Sequence, residues 1–444
     1  MSLYNFVQTL QFSEMPEHSR WLINTSLLDI IGVMAGARDN ETSRNIRDYA
    51  ALHYSGGIIQ TRLLFDGRKV HPLGSAWAGG FSADSLDAHE GHFTSKGHAG
   101  ATVVPALLAI ADAYRNQGEE ISGEEFLSAL AVAYETGLRA GVALMDTAAE
   151  YHASGAFSGL GVVCGAARLL RMDEEQFLHA LGIAEYFGPR CPMMRLVDFP
   201  SNLRDAHGAG AYAGVNAILM AQSGITGAPA ETVTESKIAH CWDDLGKRWE
   251  IDAQYFKPWP VCRWAQPSLT AVTRLLQENP QIRGTNIEHV VIETFHESMR
   301  LQGHFPSNAD EAQYGLAFPV AALITRGQVG PAEVTGDAIY AEDILNVSRR
   351  IEIKEADDLS VRFPEEILSR VTITLSDGTQ LISPVAQAKG DPATAMSEAE
   401  FIEKFRLLAS VSFDEKRIQE IIASIKGLRT ADSCKALLNL LMQR

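Results

Sequence analysis

Apolar residues recur along the first half of the chain at spacings of three and four, the pattern of α-helices that bury one face. Residues 13–37 become apolar around nearly the whole circumference in their second half, which predicts a helix buried among other helices. Residues 60–70 contain an Asp-Gly pair between short apolar runs, which predicts either a small hairpin or an irregular entry to the next helix. Further helices are predicted over residues 41–55, 102–115, 123–143, 172–184 and 208–222, and one rich in glycine and alanine begins near Ser154.

The pattern changes after about residue 250. Residues 287–295 alternate between apolar and polar positions as a half-buried strand does, and two short runs flank the Asp377-Gly378 turn. Ser397 and Glu400 form a capping-box pattern that returns the chain to helices. Within the changed region, helices are predicted over 266–278 and 309–326, and strands near 351 and over 370–375 and 380–383. We therefore predict a mainly α protein, with a large discontinuous all-helical domain, residues 1–250 and 392–444, and a smaller inserted α+β domain, residues 251–391.

The segment from Asp84 to Pro105 concentrates the most titratable chemistry. The small apolar residues before it predict a helix whose last turn carries Asp87 and Glu90 on one face and which ends at Gly91. His98 then precedes the next helix. Because the first N–H groups of a helix have no partner within it, those beside His98 would suit a carboxylate or another anion.

Three other stretches offer candidate groups. His152 directly precedes the glycine- and alanine-rich helix, where it could point into a cleft. Residues 188–203 lose periodicity and are interrupted by three prolines, and long irregular stretches inside helical domains are often functional. Arginine side chains suit two-point contacts with carboxylates, and this stretch and its surroundings carry Arg190, Arg195 and Arg204. Lys257 is flanked by prolines that restrict its backbone, so it could hold a substrate charge in a fixed place.

The composition and charge of the chain argue against several functional classes of protein. The chain has 444 residues, of which 46% are hydrophobic, and a net charge of -17. That charge argues against nucleic-acid binding, although a local pocket can still be positive. The five cysteines are scattered and form no CxxC pair, and the first residues lack the pattern of a signal peptide. These features predict a cytoplasmic protein that neither spans nor binds a membrane.

The residues quoted above resemble one family throughout. An aspartate in a small-residue helix, a polar loop ending in His-Ala-Gly, a VVPALLAIA helix and the later YFKPWPVCRW and EAQYG segments are similar to the MmgE/PrpD family. The resemblance implies a metal-independent enzyme, a homodimer, and an active-site histidine before the glycine-alanine helix. The resemblance covers nearly the whole chain. The family includes 2-methylcitrate dehydratases, cis-aconitate decarboxylases and iminodisuccinate epimerase.

The sequence lacks a P-loop, a dinucleotide-binding glycine motif and a pyridoxal signature, so no cofactor is expected. Imidazoles, carboxylates and cations suit proton abstraction next to a carboxylate of a small anionic substrate. The chain departs from the lyase members: Asp87 is followed by Ala-His-Glu-Gly instead of an Asp-x-Asp-Asp-Thr run, Cys262 replaces a histidine and Phe318 a tyrosine. We therefore expect an epimerase of an iminodisuccinate-like dicarboxylate, with a dehydratase or decarboxylase as the alternative and a catalytically silent binding protein as a second alternative.

The candidate residues divide by role. We expect no metal ligands. Those expected to catalyse are His98, His152, Asp87 and Lys257, and those expected to bind substrate are Arg190, Arg195, Arg204, His207 and Arg263. The basic residue and histidine that open a helix in the family are shifted in this chain to Arg204 and His207.

Overall fold

The computed structural model describes residues 1–444, apart from the side chain of Val197. The first part of the chain is helical, with a small hairpin of β1 (Thr61–Arg62) and β2 (Lys69–Val70) and a pairing of β3 (Gly91–His92) with β4 (Gln254–Tyr255). Its helices are α1 (Leu3–Thr9), α2 (Glu17–Ala37), α3 (Glu41–His53), α4 (Pro72–Asp84), α5 (Gly100–Asn116), α6 (Gly123–Thr147), α7 (Gly155–Leu169), α8 (Glu174–Phe187), α9 (Met194–Asp198), α10 (His207–Gln222) and α11 (Glu231–Thr234).

A mixed five-stranded sheet organises the middle of the chain. The central strand β5 (Ile287–Thr294) pairs in parallel with β6 (Ile351–Glu355) and antiparallel with β7 (Leu368–Leu375), which also pairs with β8 (Gln380–Ile382) and β9 (Ala386–Gln387). Two helices pack on this sheet, α12 (Gln266–Glu278) and α14 (Ala317–Arg326). The other helices of this region are α13 (Ala309–Gln313), α15 (Pro331–Val334), α16 (Glu342–Ser348) and α17 (Asp357–Ser360). Helices α18 (Glu398–Ala409), α19 (Glu415–Lys426) and α20 (Lys435–Leu441) follow.

Two hydrophobic cores divide the molecule. One runs from Phe6 to Phe256 and takes in residues from Met396 to Met442, and the other lies between Val261 and Leu375. We call residues 1–256 with 392–444 the helical domain, and residues 257–391 the α+β domain. The chain passes from the helical domain to the α+β domain after Phe256 and returns after residue 391. These two points are adjacent, because the N–H of Phe256 donates to the carbonyl of Gly390 at 2.9 Å. The mainly α fold class predicted from the sequence is confirmed.

Glycines let the helices around the site approach closely. A β-carbon placed on Gly80 of α4 would lie 2.7 Å from the Cα of Gly208 of α10, which is closer than van der Waals contact allows. Helices α4 and α10 therefore meet backbone to backbone. This contact brings the end of α4, at Asp84, close to the start of α10, at His207.

Two predicted helices are wrong in their extent. Helix α4 ends at Asp84, so Asp87 and Glu90 lie in the following loop instead of on its last turn. The reason is that Asp87 has a left-handed backbone, with φ 49°, which no α-helix continues through. The helix predicted over 309–326 is broken between α13 and α14 because the N–H of Leu316 bonds the carbonyl of Leu301. None of the described helices is both long and apolar enough to cross a membrane.

Candidate active site

A cleft of about 400 Å³ opens between the two domains. The helical domain contributes the loop after α4 and the segments around residues 151 and 193, and the α+β domain contributes residues from 257 to 264 and around 314 and 364. The polar and titratable residues that line it are Asp87, His92, Lys96, His98, Tyr151, Tyr255, Lys257, Cys262, Arg263, Glu297 and Tyr314.

Lys257 and Asp87 form a buried ion pair in this cleft. The Nζ of Lys257 lies 2.7 Å from Oδ1 of Asp87, and both side chains are almost fully buried. Burial raises the pKa of Asp87 above its usual value, although the ammonium group opposes that rise. The left-handed backbone of Asp87 is a strained conformation, of the kind that is often retained at functional sites. The pair places an ammonium group directly against a buried carboxyl group.

His98 is held in one tautomer by a backbone carbonyl. Its Nδ1 contacts the carbonyl oxygen of Glu90, which can only accept, so Nδ1 carries the proton and Nε2 has the lone pair. The Nδ1 of His89 lies 3.2 Å from the same oxygen and must donate as well. Burial lowers the pKa of both imidazoles well below the usual value, and the charge of Lys257 adds to this effect. Both rings are therefore neutral near pH 7, and Nε2 of His98 has a lone pair that can accept a proton.

Asp84 and His89 are in hydrogen-bond contact. With Nδ1 protonated, Nε2 of His89 has a lone pair, yet it lies 3.3 Å from Oδ1 of Asp84. Two lone pairs would repel, so one proton must lie between these two atoms, and burial raises the pKa of Asp84. The other oxygen of Asp84 accepts the N–H of Asp205 at 3.2 Å. Asp84 and His89 thus belong to a buried hydrogen-bonded network behind the cleft.

Asp205 connects this network to α7 and α10. Its carboxylate accepts the backbone N–H of Ser154 at 2.7 Å and the Ser154 hydroxyl at 2.6 Å. Its Oδ2 lies 3.6 Å from Nε2 of His98 and 3.7 Å from Nε2 of His207. Burial and the neighbouring Asp84 raise the pKa of Asp205 to about 7. Asp205 can therefore gain or lose a proton close to neutrality beside His98.

The start of α5 is already occupied by an acid from the protein itself. The N–H of Gly100 donates to Oε1 of Glu90 at 2.7 Å, so the prediction that free N–H groups there await a substrate carboxylate is wrong. Burial raises the pKa of Glu90 to about 8, and the nearby Asp29 adds to the rise. Lys404, which pairs with Asp29, also donates to the carbonyl of Ala88 at 2.7 Å and so fixes the loop that carries Asp87.

Asp84, His89 and His207 place their ligand atoms within 4.8 Å of one another, a spacing compatible with a metal ion. The charges around them oppose a cation, because Lys257 and Arg204 both act to lower the pKa of His89. His207 also uses its Nδ1 in a bond to the hydroxyl of Thr102 at 2.8 Å. We interpret the cluster as part of the proton network.

The comparisons with known proteins cover both domains. The model of the MmgE/PrpD N-terminal domain matches residues 1–240, and the model of the MmgE/PrpD C-terminal domain matches residues 259–427. The chain belongs to the MmgE/PrpD family. It is 21% identical to cis-aconitate decarboxylase from Aspergillus terreus over 97% of this chain and 92% of that protein. It is 23% identical to the cis-aconitate decarboxylase-like protein oryM from Aspergillus oryzae, over 99% and 96% of the two chains. The cis-aconitate decarboxylase of Mus musculus is 21% identical over 94% of this chain and 87% of its own length.

Two of the three departures from the lyase members of the MmgE/PrpD family, Cys262 and Phe318, lie in different parts of the structure. Cys262 lines the cleft, and burial raises the pKa of its thiol to about 12, so it is neutral. Phe318 is fully buried in the core of the α+β domain. The phenol groups in the cleft come instead from Tyr151, Tyr255 and Tyr314, and burial raises the pKa of each, so all three are protonated donors.

Four of the predicted site residues line the cleft of this MmgE/PrpD chain: Asp87, His98, Lys257 and Arg263. Arg204 and His207 are buried next to it. The guanidinium of Arg204 bonds Asp310 and the carbonyl of Asp84, and it borders another cavity of about 570 Å³. His207 lies 5.1 Å from His89, ring centre to ring centre.

The other three predicted residues do not line the cleft. His152 pairs through its backbone with Pro192, and in an extended segment neighbouring side chains point to opposite sides. The cleft is therefore lined by Tyr151, one residue earlier. Arg190 is partly exposed near Glu185, at 3.7 Å, and Arg195 is exposed. Tyr151, Tyr255 and Tyr314 were missed from the sequence, where a tyrosine in an apolar run resembles a core residue. The signal that could have found Tyr151 is its position directly before His152.

Proposed function

We propose that this protein is a lyase that acts on a small polycarboxylate of the cis-aconitate type by breaking a bond next to a carboxylate. The observation that carries the proposal is the buried pair of Lys257 and Asp87 in a cleft that His98 also lines. The relatives named as cis-aconitate decarboxylases support this reaction over the epimerisation expected from the sequence.

The charge of the substrate suits the cations of the cleft. Lys257 and Arg263 line it, and Lys96 is exposed at its rim. A preorganised ammonium group in a dry site stabilises negative charge that develops on the substrate more strongly than water does. Lys257 is therefore proposed to hold the carbanion or enolate-like charge, and Arg263 to bind a carboxylate.

The proton balance of a decarboxylation fits the acids present. The carbon–carbon bond to the departing carboxylate breaks, its electron pair stays on the substrate carbon, and carbon dioxide leaves. One proton must then be delivered to that carbon or to its allylic neighbour. Asp87, with its raised pKa, and the phenols of Tyr151 and Tyr314 are the proposed donors. His98, neutral and with a lone pair on Nε2, is proposed to accept a proton where the reaction begins with its removal.

The test is direct. Purified protein is incubated with cis-aconitate in ¹³C-labelled form, and the release of carbon dioxide and the product are followed by NMR. The same assay with 2-methylcitrate detects dehydration. Asp87→Asn and Lys257→Met should each abolish most turnover, and Lys416→Met, at an exposed position, should not. Failure to convert either substrate would contradict the proposal.

The second candidate is epimerisation of an iminodisuccinate-like dicarboxylate. Cys262 and Phe318 favour it, because they replace the histidine and tyrosine that the resemblance expects in lyase members. An epimerase removes and returns a proton at one carbon. It would exchange the α-proton of the dicarboxylate for deuterium in D2O without losing carbon dioxide or water, whereas the lyase would release carbon dioxide from cis-aconitate or water from 2-methylcitrate.

The proposed location is the cytoplasm, where the five free cysteines would stay reduced.

A further inference from the structure

Three side chains that can bind metals meet at the surface of the helical domain, where α6 ends. They are Asp146, on the last turn of α6, and His240 and Cys241, at the end of the short 3₁₀ helix Ser236–Cys241. Oδ2 of Asp146 lies 2.9 Å from Nε2 of His240. Sγ of Cys241 lies 3.4 Å from the same nitrogen and 3.9 Å from the same oxygen. One oxygen, one nitrogen and one sulfur atom therefore converge on a single point.

This arrangement differs from that of a cysteine nucleophile with a histidine base. In a catalytic triad the two ring nitrogens have different partners, because one faces the nucleophile and the other faces the carboxylate. Here Nε2 of His240 faces both the thiol of Cys241 and the carboxylate of Asp146. The ring therefore cannot link the other two groups, whereas a divalent ion can bind all three atoms at once.

The spacing of the three atoms suits zinc. Zinc binds cysteine sulfur at about 2.3 Å and histidine nitrogen or carboxylate oxygen at about 2.0–2.2 Å, so ligand atoms at the corners of a tetrahedron are about 3.3–3.7 Å apart. The observed distances of 2.9, 3.4 and 3.9 Å lie around this range, and small side-chain rotations bring them into it. Sulfur and imidazole ligands also favour zinc over calcium or magnesium, which prefer oxygen ligands.

Buried groups hold the thiol in place. Cys241 is 2% exposed, and its carbonyl accepts a hydrogen bond from the guanidinium of Arg139. Arg139 is fully buried and is itself fixed by Glu135 at 2.7 Å. It lies on α6 about two turns before Asp146, so the same helix positions the carboxylate and the backbone of the cysteine. The side chains of His240 and Asp146 are 62% and 44% exposed, which gives an ion access from solvent.

We propose that Asp146, His240 and Cys241 bind one zinc-like divalent ion, with water or an external ligand in the fourth position. On binding, the thiol releases its proton to solvent and the ring carries its own on Nδ1, because metal ligands bind deprotonated. All three residues lie outside the lining of the cleft, so the ion has no part in the proposed reaction. It would tie the end of α6 to the segment that leads to the α+β domain. The sequence does not predict this site, because Asp146 lies 94 residues before His240.

Cobalt is the probe for this site, because Co²⁺ takes the same ligands as zinc and absorbs light. Reduced protein is freed of metal with a chelator and titrated with Co²⁺. We expect the near-ultraviolet band of a cobalt–thiolate bond and the intense visible bands of four-coordination, both saturating at one ion per chain. Added Zn²⁺ should abolish the bands, because it binds such sites more tightly than cobalt. A saturated titration without a cobalt–thiolate band would overturn the proposal.

Variants assign the band to these residues. His240→Gln and Asp146→Asn change exposed side chains, and each should weaken Co²⁺ binding at least about 100-fold, because changing a group that only supports a ligand already costs about 10–100-fold. Cys241→Ser should remove the cobalt–thiolate band. His296→Gln is the matched control, at an exposed histidine 3.0 Å from Glu355 in the α+β domain, and it should leave the titration unchanged. Undiminished affinity in both His240→Gln and Asp146→Asn would place the ion at another cysteine and contradict the proposal.

Discussion

Arg204 of the helical domain and Asp310 of the α+β domain form a buried ion pair, with 2.6 Å between Nη2 and Oδ1. The same guanidinium donates to the carbonyl of Asp84 at 2.8 Å, so the pair links the second domain to the end of α4. Arg204→Met should lower the free energy of unfolding by about 3–5 kcal/mol, because it leaves the carboxylate of Asp310 buried without its partner. Denaturant unfolding followed by circular dichroism measures the change.

Two further variants test this explanation. Arg195→Met makes the same substitution at an exposed arginine and should change stability by less than about 0.5 kcal/mol. Adding Asp310→Leu to Arg204→Met should recover much of the loss, because the buried charge is gone. If the double variant is no more stable than Arg204→Met, the charge is not the cause.

Asp87→Asn and Lys257→Met should differ in their kinetics. Asp87→Asn removes a proton-transfer group and should lower kcat by about 10²- to 10⁴-fold. Lys257→Met removes a charge that holds both the substrate and the transition state, so it should raise KM and lower kcat together. Steady-state kinetics with the substrate that is converted fastest measure kcat and KM for both variants and for the unmodified protein. Equal kcat values for Asp87→Asn and the unmodified protein would exclude Asp87 as a catalytic group.

Glu90 gives stability a dependence on pH. Its pKa is raised from 4.5 to about 8 in the folded protein, so between these values the folded state holds a proton that the unfolded state has lost. This contribution is fully present below pH 4.5 and is lost as pH rises towards 8, by at most about 1.4 kcal/mol per pH unit. Glu90→Gln mimics the protonated group and removes the dependence. The difference in unfolding free energy, variant minus unmodified protein, should therefore grow from pH 4.5 to 8 and then level off. Urea unfolding at stepped pH measures it, and parallel curves would contradict the assignment.

The sequence located part of the site for identifiable reasons. His98 and Lys257 stand out because a histidine at a helix start and a lysine between prolines have few alternative conformations. The prediction of His152 missed the cleft by one residue, because Tyr151 lines it instead. The pairing of His152 with Pro192 decides which of the two side chains faces the cleft, and the sequence does not show that pairing. The early end of α4 could not be predicted either, because Asp87 is held in its left-handed backbone conformation by a contact with a lysine far away in the chain.

Close helix packing should make Gly80 intolerant of a side chain. In Gly80→Ala the new methyl group would lie 2.7 Å from the backbone of Gly208, so α10 must move. Overpacking of this kind usually costs about 1–3 kcal/mol, and His207 at the start of α10 would move as well. The midpoint temperature of thermal unfolding and the turnover rate should both fall. Gly56→Ala, where a β-carbon meets nothing within 4 Å, is the control and should leave both nearly unchanged.

The end of α8 carries two exposed aromatic side chains. Tyr186 and Phe187 are 84% and 55% exposed, and their ring centres are 5.6 Å apart. Exposed aromatic pairs of this kind are enriched at interfaces, and the family resemblance implies a homodimer. We propose that two copies associate through this surface. Tyr186→Ser with Phe187→Ser should therefore yield monomers in light scattering, and Ile58→Ser, at another exposed apolar position, should not. A dimer that persists in the double variant would place the interface elsewhere.

The bond from Lys404 to the carbonyl of Ala88 also bears on how the protein is made. Synthesis proceeds from the N-terminus at about 5–20 residues per second, so the loop that carries Asp87 leaves the ribosome long before its anchor. The whole α+β domain is translated in the interval and can fold first. The helical domain cannot complete its core until α18 has left the ribosome, because residues from Met396 to Met442 belong to that core. Ribosome-bound chains that end before residue 404 should therefore lack an ordered loop around Asp87, and the candidate site should form only after α18 has left the ribosome.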